Sequence, residues 1–338
     1  MWHGIVGHDE VAEQFRQTLA AGRLASTYLF VGPPGIGKRR FALELAHALL
    51  CTEAPETSLE PCGRCDSCRM FVAGNHPDVE VLGLPPDKST LPIDLFIGDR
   101  EHRNQDGLCH RIGLRPFFGR HKVAIVDDAD HFSIPSANCL LKTLEEPPPS
   151  ALLILIGTSP SRQLPTIRSR SQVVRFHSLD RETVAQILVN TGVTADCHLA
   201  LRVGELSEGS VERAVELADP ALWSFRDQLF AALGAARMES VRLGRMIQAF
   251  VEEAGKEPAQ RRVRLRVVIG FVIEFYRSRL RDEATTAPDS TVAALDACLT
   301  ALENIDRNAN VGLVIQAWCE GLAQTAGRGP IRAPHAPA

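Results

Sequence analysis

Several features are missing from the sequence, and each absence closes off a class of function. No apolar stretch is long enough to cross a bilayer. The tightest runs, ALLILIG (151–157) and VVIGFVI (267–273), fall far short of the roughly 20 residues a spanning helix needs. No charge of one sign predominates: 37 Lys and Arg stand against 41 Asp and Glu, a net charge of −4. That balance excludes a protein that grips nucleic acid by bulk positive charge alone, while leaving room for a basic patch on one face. No fixed-period repeat runs along the chain, which excludes a solenoid. The opening MWHGIVGHDE shows no charged-then-apolar leader pattern, so export is not expected. The nine cysteines are an odd number, so reduced thiols in a cytoplasmic protein are the expectation.

What is present is 338 residues, which at about 150 residues per domain predicts two domains with room for a third. Up to about Arg175, short apolar runs alternate with helical patterns. YLFVG (28–32), VEVLGL (79–84), KVAIVDD (122–128) and ALLILIG (151–157) read as buried strands. RRFALELAHALL (39–50) and SANCLLKTLEE (136–146) read as helices. This alternation predicts an α/β layer on a mostly parallel sheet over residues 1–176. Beyond Phe176 the apolar spacing is helical throughout. A small helical unit is expected over 177–220, ending near Asp219-Pro220, and a larger all-α bundle over 221–324. The Gly-, Pro- and Ala-rich stretch 325–338 is expected to be disordered.

GPPGIGKR (32–39) fits G-x-x-x-x-G-K at Gly32, Gly37 and Lys38, with a strand before it and a helix after it. Glycines let backbone N–H groups converge on phosphate oxygens, and the helix N-terminus adds a positive dipole. A Gly/Pro-rich turn without a ligand is the plain alternative, and the strand–turn–helix context weighs against it. The next position is Arg39, where a working loop carries a Ser or Thr hydroxyl on Mg²⁺. A guanidinium cannot coordinate a cation. The expected result is a phosphate scaffold with a damaged metal site, where ATP/Mg²⁺ binding is weak or absent. VAIVDDAD (123–130) reads as the second half: Asp127 at the sheet edge would face Mg²⁺, and Asp128 stands where a water-activating carboxylate is expected, with a solvated turn of acids after a strand as the plain alternative and the distance from the loop weighing against it. Thr158, at the end of ALLILIG, either senses the terminal phosphate or simply ends the strand.

Cys51, Cys62, Cys65 and Cys68 fall within eighteen positions as C-x₂-C-x₂-C plus one upstream cysteine. Four thiolates and no open position suit structural Zn²⁺. An iron–sulfur cluster is the chemical alternative, and unrelated free thiols the bland one. The other five cysteines, Cys109, Cys139, Cys197, Cys298 and Cys319, mostly sit in apolar helical patterns and are expected in the core. Two basic stretches stay open between solvated faces and phosphate contacts. One is RQLPTIRSRS (162–171), with Arg162, Arg168 and Arg170. The other is RRVRLR (261–266), continued by Arg277, Arg279 and Arg281.

These pieces, in this order, resemble the clamp-loader branch of the AAA+ proteins. The carrying phrases are IVGHDEV (5–11), GPPGIGKR (32–39), the cysteine insertion at about 51–75 and NHPDV (75–79). VDDAD (126–130), LLKTLEEPP (140–148), LPTIRSRS (164–171) and GSVERA (209–214) follow. The resemblance covers about residues 4–218. Beyond that, only RNANVGLVIQ (307–316) is shared. It implies an AAA+ nucleotide-binding domain, a helical lid and an all-α collar for oligomerisation. It places Ile5, Val6 and Gly7 near an adenine, Gly35, Gly37 and Lys38 on the phosphates, and Asp127 on Mg²⁺. Thr158 becomes the first sensor and Arg170 a finger aimed at a neighbour's ATP. Ser171 stands where the family has Cys, and Arg213 lies one position later than the second sensor of ATP-hydrolysing members. The departures at Arg39 and Asp128, with Arg170 kept, resemble a stationary subunit of a hetero-pentameric ring. Its implied partners are gamma/tau-type motor subunits, a clamp-opening delta subunit, the sliding clamp and primed DNA touched through its backbone. An ATP-hydrolysing motor of the same ring is the alternative, and a branch-migration helicase motor is a more distant one.

Overall fold

A computed structural model describes residues 2–118, 120–235, 238–281 and 288–326. The chain divides into two compact units, Met1–Ala218 and Asp219–Ala338. In the first, a five-stranded parallel sheet has the order β2-β3-β4-β1-β5. Its strands are β1 (Thr27–Val31), β2 (Val79–Leu82), β3 (Lys122–Val126), β4 (Ala151–Gly157) and β5 (Gln172–Arg175). The apolar runs form strands because both faces of the sheet are covered. Side chains alternate between two cores: Tyr28, Phe30, Val123, Ile125, Leu152 and Ile154 enter one. Leu29, Val31, Ala124, Val126, Leu153 and Leu155 enter the other.

The helices of this unit begin with α1 (Asp9–Ala20), α2 (Lys38–Leu50), α3 (Asp66–Val72), α4 (Asp94–Ile97) and α5 (Leu108–Arg111). Then come α6 (Ile134–Glu145), α7 (Pro165–Arg168), α8 (Arg181–Asn190), α9 (Cys197–Leu206) and α10 (Val211–Leu217). α2 buries Phe41, Leu45 and Leu49 in the first core beside Phe15 and Phe30. α6 starts from a capping box between Ser133 and Ser136, with proline in its first turn, an arrangement that satisfies the orphan N–H groups of a helix start. One strand was not expected. β5 pairs with β1 from Tyr28↔Gln172 to Val31↔Arg175. Its four residues, two valines between an exposed Gln172 and an exposed Arg175 on the sheet edge, are too short a run to stand out as a strand.

The second unit holds α11 (Pro220–Leu233), α12 (Ser240–Glu252), α13 (Pro258–Arg281), α14 (Pro288–Asp306) and α15 (Val311–Ala326). Asp219 caps α11 and Pro220 opens it. Phe225 stacks on Phe250 with ring centroids 3.9 Å apart, while Leu265, Phe271, Phe275 and Trp318 are buried. Three of the four arginines of the basic run have partners inside this unit. Arg261 donates to the Gly255 carbonyl, Arg264 pairs with Asp219 and lies over Phe250, and Arg266 pairs with Asp306. Cys298 and Cys319 are buried, and burial pushes their thiols up to about 11 and about 12. Cys109 and Cys139 are half-buried. Cys197 departs from the expectation: it is exposed, as the first residue of α9. α15 carries the helix through Thr325 to Ala326, and the rest of the stretch expected to be disordered lies outside the described residues. Among the described residues no helix is long and apolar enough to cross a membrane.

Candidate functional site

Parallel strands deliver their following loops to one edge of the sheet. Here the loops after β1, β3 and β4, which are neighbours, open onto a cavity of about 840 Å³. The left-handed backbone at Gly37 (φ 100°) turns the chain into α2, and Lys38 is its first residue. Lys38 is buried and folded back on its own loop. Its Nζ donates to the carbonyls of Gly32 (2.7 Å) and Pro33 (2.6 Å). Burial lowers its pKa, and Asp127 and Asp130 act against that.

Arg39 Nη1 stands 3.7 Å from Asp127 Oδ2. Burial raises the pKa of Asp127, the neighbouring Asp128 adds to the rise, and Arg39 and Lys38 oppose it. Asp128 has left-handed backbone (φ 55°), and its Oδ2 accepts the Leu84 N–H at 3.2 Å. Thr158 does not present a free hydroxyl. Its N–H (2.8 Å) and its O–H both donate to Asp130 Oδ2. Gln163 donates to Asp130 Oδ1 at 2.7 Å, and Arg162 stands 3.9 Å from Oδ2. Asp130 therefore organises this end of the cavity, and sequence reasoning passed over it. Gly157 makes room for it: a Cβ there would lie 2.6 Å from Asp130 Oδ1, a closeness that only the fold reveals. His8 was also missed. It lines the cavity, its Nε2 is 2.8 Å from the Ile36 carbonyl, and burial lowers its pKa.

The cavity wall brings together Ile5, Val6, Gly35, Gly37, Lys38, Arg39, Asp127, Asp128 and Thr158. Gly7 and Gly32 are not on it. They pack against Leu179 and the Phe176 carbonyl. From α10, Val211 and Glu212 reach the wall, and the Val211 N–H donates to the Gly35 carbonyl at 2.8 Å. Arg213 turns to Glu208 instead, at 3.1 Å. Arg170, just past α7, is also off the wall. It pairs with Glu145 of α6 at 2.7 Å and donates to the Thr166 carbonyl.

The four expected metal ligands do converge. Cys51 ends α2, Cys65 caps α3, and the four Sγ atoms lie within 4.8 Å of one another. Cys51–Cys65 and Cys62–Cys68 are each 4.0 Å apart. Zn–S bonds of about 2.3 Å in a tetrahedron set sulfur atoms roughly 3.8 Å apart, so the donor set fits such an ion and none of the four is in a disulfide. Backbone N–H groups of Ala54, Cys62, Cys65 and Cys68 point at the sulfurs, as suits thiolates. NHPDV fastens this loop to the sheet. The Asp78 N–H donates to His76 Nδ1, which leaves Nε2–H to donate to Ser67 Oγ at 2.9 Å, and Ser67 donates to the Leu50 carbonyl. The buried Asp78 carboxylate accepts the Phe117 and Phe118 N–H groups.

Comparison with known proteins agrees with this architecture. A family model described as DNA polymerase III, delta subunit, matches residues 7–180. DNA polymerase III subunit gamma/tau of Mycobacterium bovis is 36% identical over 197 residues, covering 57% of this chain and 32% of that protein. Subunit delta' of Pseudomonas aeruginosa is 39% identical over 146 residues, 43% of this chain and 41% of that protein. Subunit delta' of Bacillus subtilis is 33% identical over 196 residues, 58% and 54%. The chain thus spans about a third to a half of the length of these curated relatives.

Proposed function

We propose a function from one premise: the chain belongs to the DNA polymerase III delta-subunit family, whose model matches residues 7–180. On this reading it is a delta-prime-like clamp-loader subunit that hydrolyses little ATP itself. The cavity is a nucleotide pocket, with Ile5 and Val6 at the base end and Gly35, Gly37 and Lys38 at the phosphate end. Arg170 reaches a neighbouring subunit's ATP, where a guanidinium neutralises charge on the phosphoryl group. The four cysteines hold a structural Zn²⁺. Helices α8–α10 act as the lid and α11–α15 as the collar of a ring. The ring's other members are gamma/tau-type motors and a delta subunit, and it loads the sliding clamp on primed DNA, meeting the DNA through its backbone.

The observation that carries this reading is Arg39 beside Asp127, a cation standing where hydrolysis needs a hydroxyl and a metal. Steady-state ATP turnover by the isolated chain, with Lys38→Ala as control, tests it. The expected result is no Lys38-dependent turnover. Clear Lys38-dependent turnover would reverse the assignment in favour of the ATP-hydrolysing gamma/tau-like motor. That second reading is supported by the 36% identity to a gamma/tau subunit.

A further inference from the structure

The phosphate end of the cavity carries a permanent positive charge beside the carboxylate that a metal would need. Position 39 is the second residue of α2. A magnesium ion bound to Asp127 would sit about 2 Å from the carboxylate oxygen. Arg39 Nη1 is already 3.7 Å from that oxygen. Arginine stays charged at any working pH and offers donors only, so it repels the ion and cannot ligate it. Of the nearby acids, Asp130 has both oxygens committed to Thr158 and Gln163, and Asp128 has one oxygen on the Leu84 N–H; neither supplies the hydroxyl that position 39 lacks. The site does not fit Mg²⁺.

It does fit a polyanion. Lys38, Arg39, Arg40 and Arg162 share the wall with Asp127, Asp128, Asp130 and Glu212; Asp130 is taken up by Thr158 and Gln163 and Asp127 faces Arg39, and the glycine turn opens the N-terminus of the 13-residue α2 toward the same wall. Ile5, Val6, Leu179 and Ile187 form an apolar part of the same wall, with Asn190 and Thr191 beside them. A volume of about 840 Å³ is within the range of small-molecule sites. An apolar part with polar handles plus a cationic part match a nucleoside di- or triphosphate.

We infer that Arg39 is the chain's own counter-cation, standing in for the divalent metal, and that the cavity binds its nucleoside polyphosphate in the metal-free form. This rests on the nucleotide-pocket reading above and specifies the ligand's state. Arg39 pairs with Asp127 while the pocket is empty of anion and turns to the phosphates when one enters. Its exposed side chain leaves it free to make that turn.

The test is titration of the full chain with a fluorescent ADP or ATP analogue, once in EDTA and once in excess Mg²⁺. The wild-type affinity is expected to agree between the two within about twofold. In Arg39→Thr, which supplies the hydroxyl and removes the charge, binding should become at least about tenfold tighter in Mg²⁺ than in EDTA. Circular dichroism and thermal melting confirm that the variant is folded. Binding by the wild type only in Mg²⁺ would overturn the inference while leaving the pocket as a nucleotide site. An Arg39→Thr chain as indifferent to Mg²⁺ as the wild type would also overturn it, because Arg39 would not be the cause. Absence of binding under every condition would overturn it together with the pocket reading. The stationary-subunit reading would then still stand or fall on ATP turnover.

Discussion

Asp127 and Asp130 leave the end of β3 within one short segment and meet opposite surroundings. Asp130 accepts from the Thr158 N–H and O–H and from Gln163, while Asp127, among the described residues, accepts only the Asp128 N–H and has Arg39 at 3.7 Å. Burial raises the pKa of Asp127 above its ordinary 3.8. A carboxylate whose folded pKa is raised binds its proton more tightly folded than unfolded. Its contribution to stability therefore declines as pH rises from the unfolded value through the folded one. At neutral pH the Asp127 charge opposes folding, and Asp127→Asn is expected to leave stability unchanged or raise it. Asp130→Ala orphans three donors at about 1–3 kcal/mol each, so a loss of roughly 3 kcal/mol or more is expected. Urea denaturation of the two variants at pH 7 measures the contrast, and equal losses would contradict it. VDDAD displays all three acids, and sequence logic ranked the first two because motif spacing points to them. The role of Asp130 was illegible because its partners arrive from the end of β4 and the turn beyond it, which only the fold brings near.

Among the elements, the strands with both faces buried, β1, β3 and β4, were legible as unbroken apolar runs. Edge strand β5 was not, because it has only two apolar residues, Val173 and Val174, between an exposed Gln172 and an exposed Arg175. The cysteine loop was legible for a different reason: ligand spacing is chemistry written in sequence, independent of burial. What could not be read was how that loop is fastened. α3 has seven residues, far below the length at which a helix holds itself in water. It depends on the Cys65 cap at one end and the Ser67–His76 bond to the sheet on its flank. With zinc as the proposed ion, loading should freeze α3 and its removal should melt it. Elemental analysis is expected to give one zinc per chain. Cys65→Ser, or strong chelation, should remove it and erase hydrogen-exchange protection across Asp66–Val72, while β1 and β4 stay protected. Iron in place of zinc, or unchanged protection after metal loss, would contradict this account.

For the whole molecule, a net charge of −4, with Arg264 and Arg266 of the basic run already paired to acids within the helical unit, does not favour bulk attraction to DNA. The stronger candidate for an action outside the chain is Arg170, which stands off the cavity wall and is about one-third exposed. Its partner Glu145 is half exposed, and ion pairs of that kind contribute about 0–1 kcal/mol. Handing the guanidinium to a neighbour's phosphate, a stronger charge-assisted contact, therefore costs the donor chain little. Arg170→Ala should leave folding and ring assembly intact, because no buried group loses a partner. The effect should appear only in the assembled complex. If the proposed ring holds one ATP site facing this chain, DNA-stimulated ATPase of the reconstituted ring should fall by the share of that site and not to zero. Arg170→Lys should fail to restore it, because a point charge lacks the planar fork that spans two phosphate oxygens. ATPase unchanged in the Arg170→Ala ring would remove the finger from the proposal. Loss of assembly would make Arg170 part of the interface between subunits.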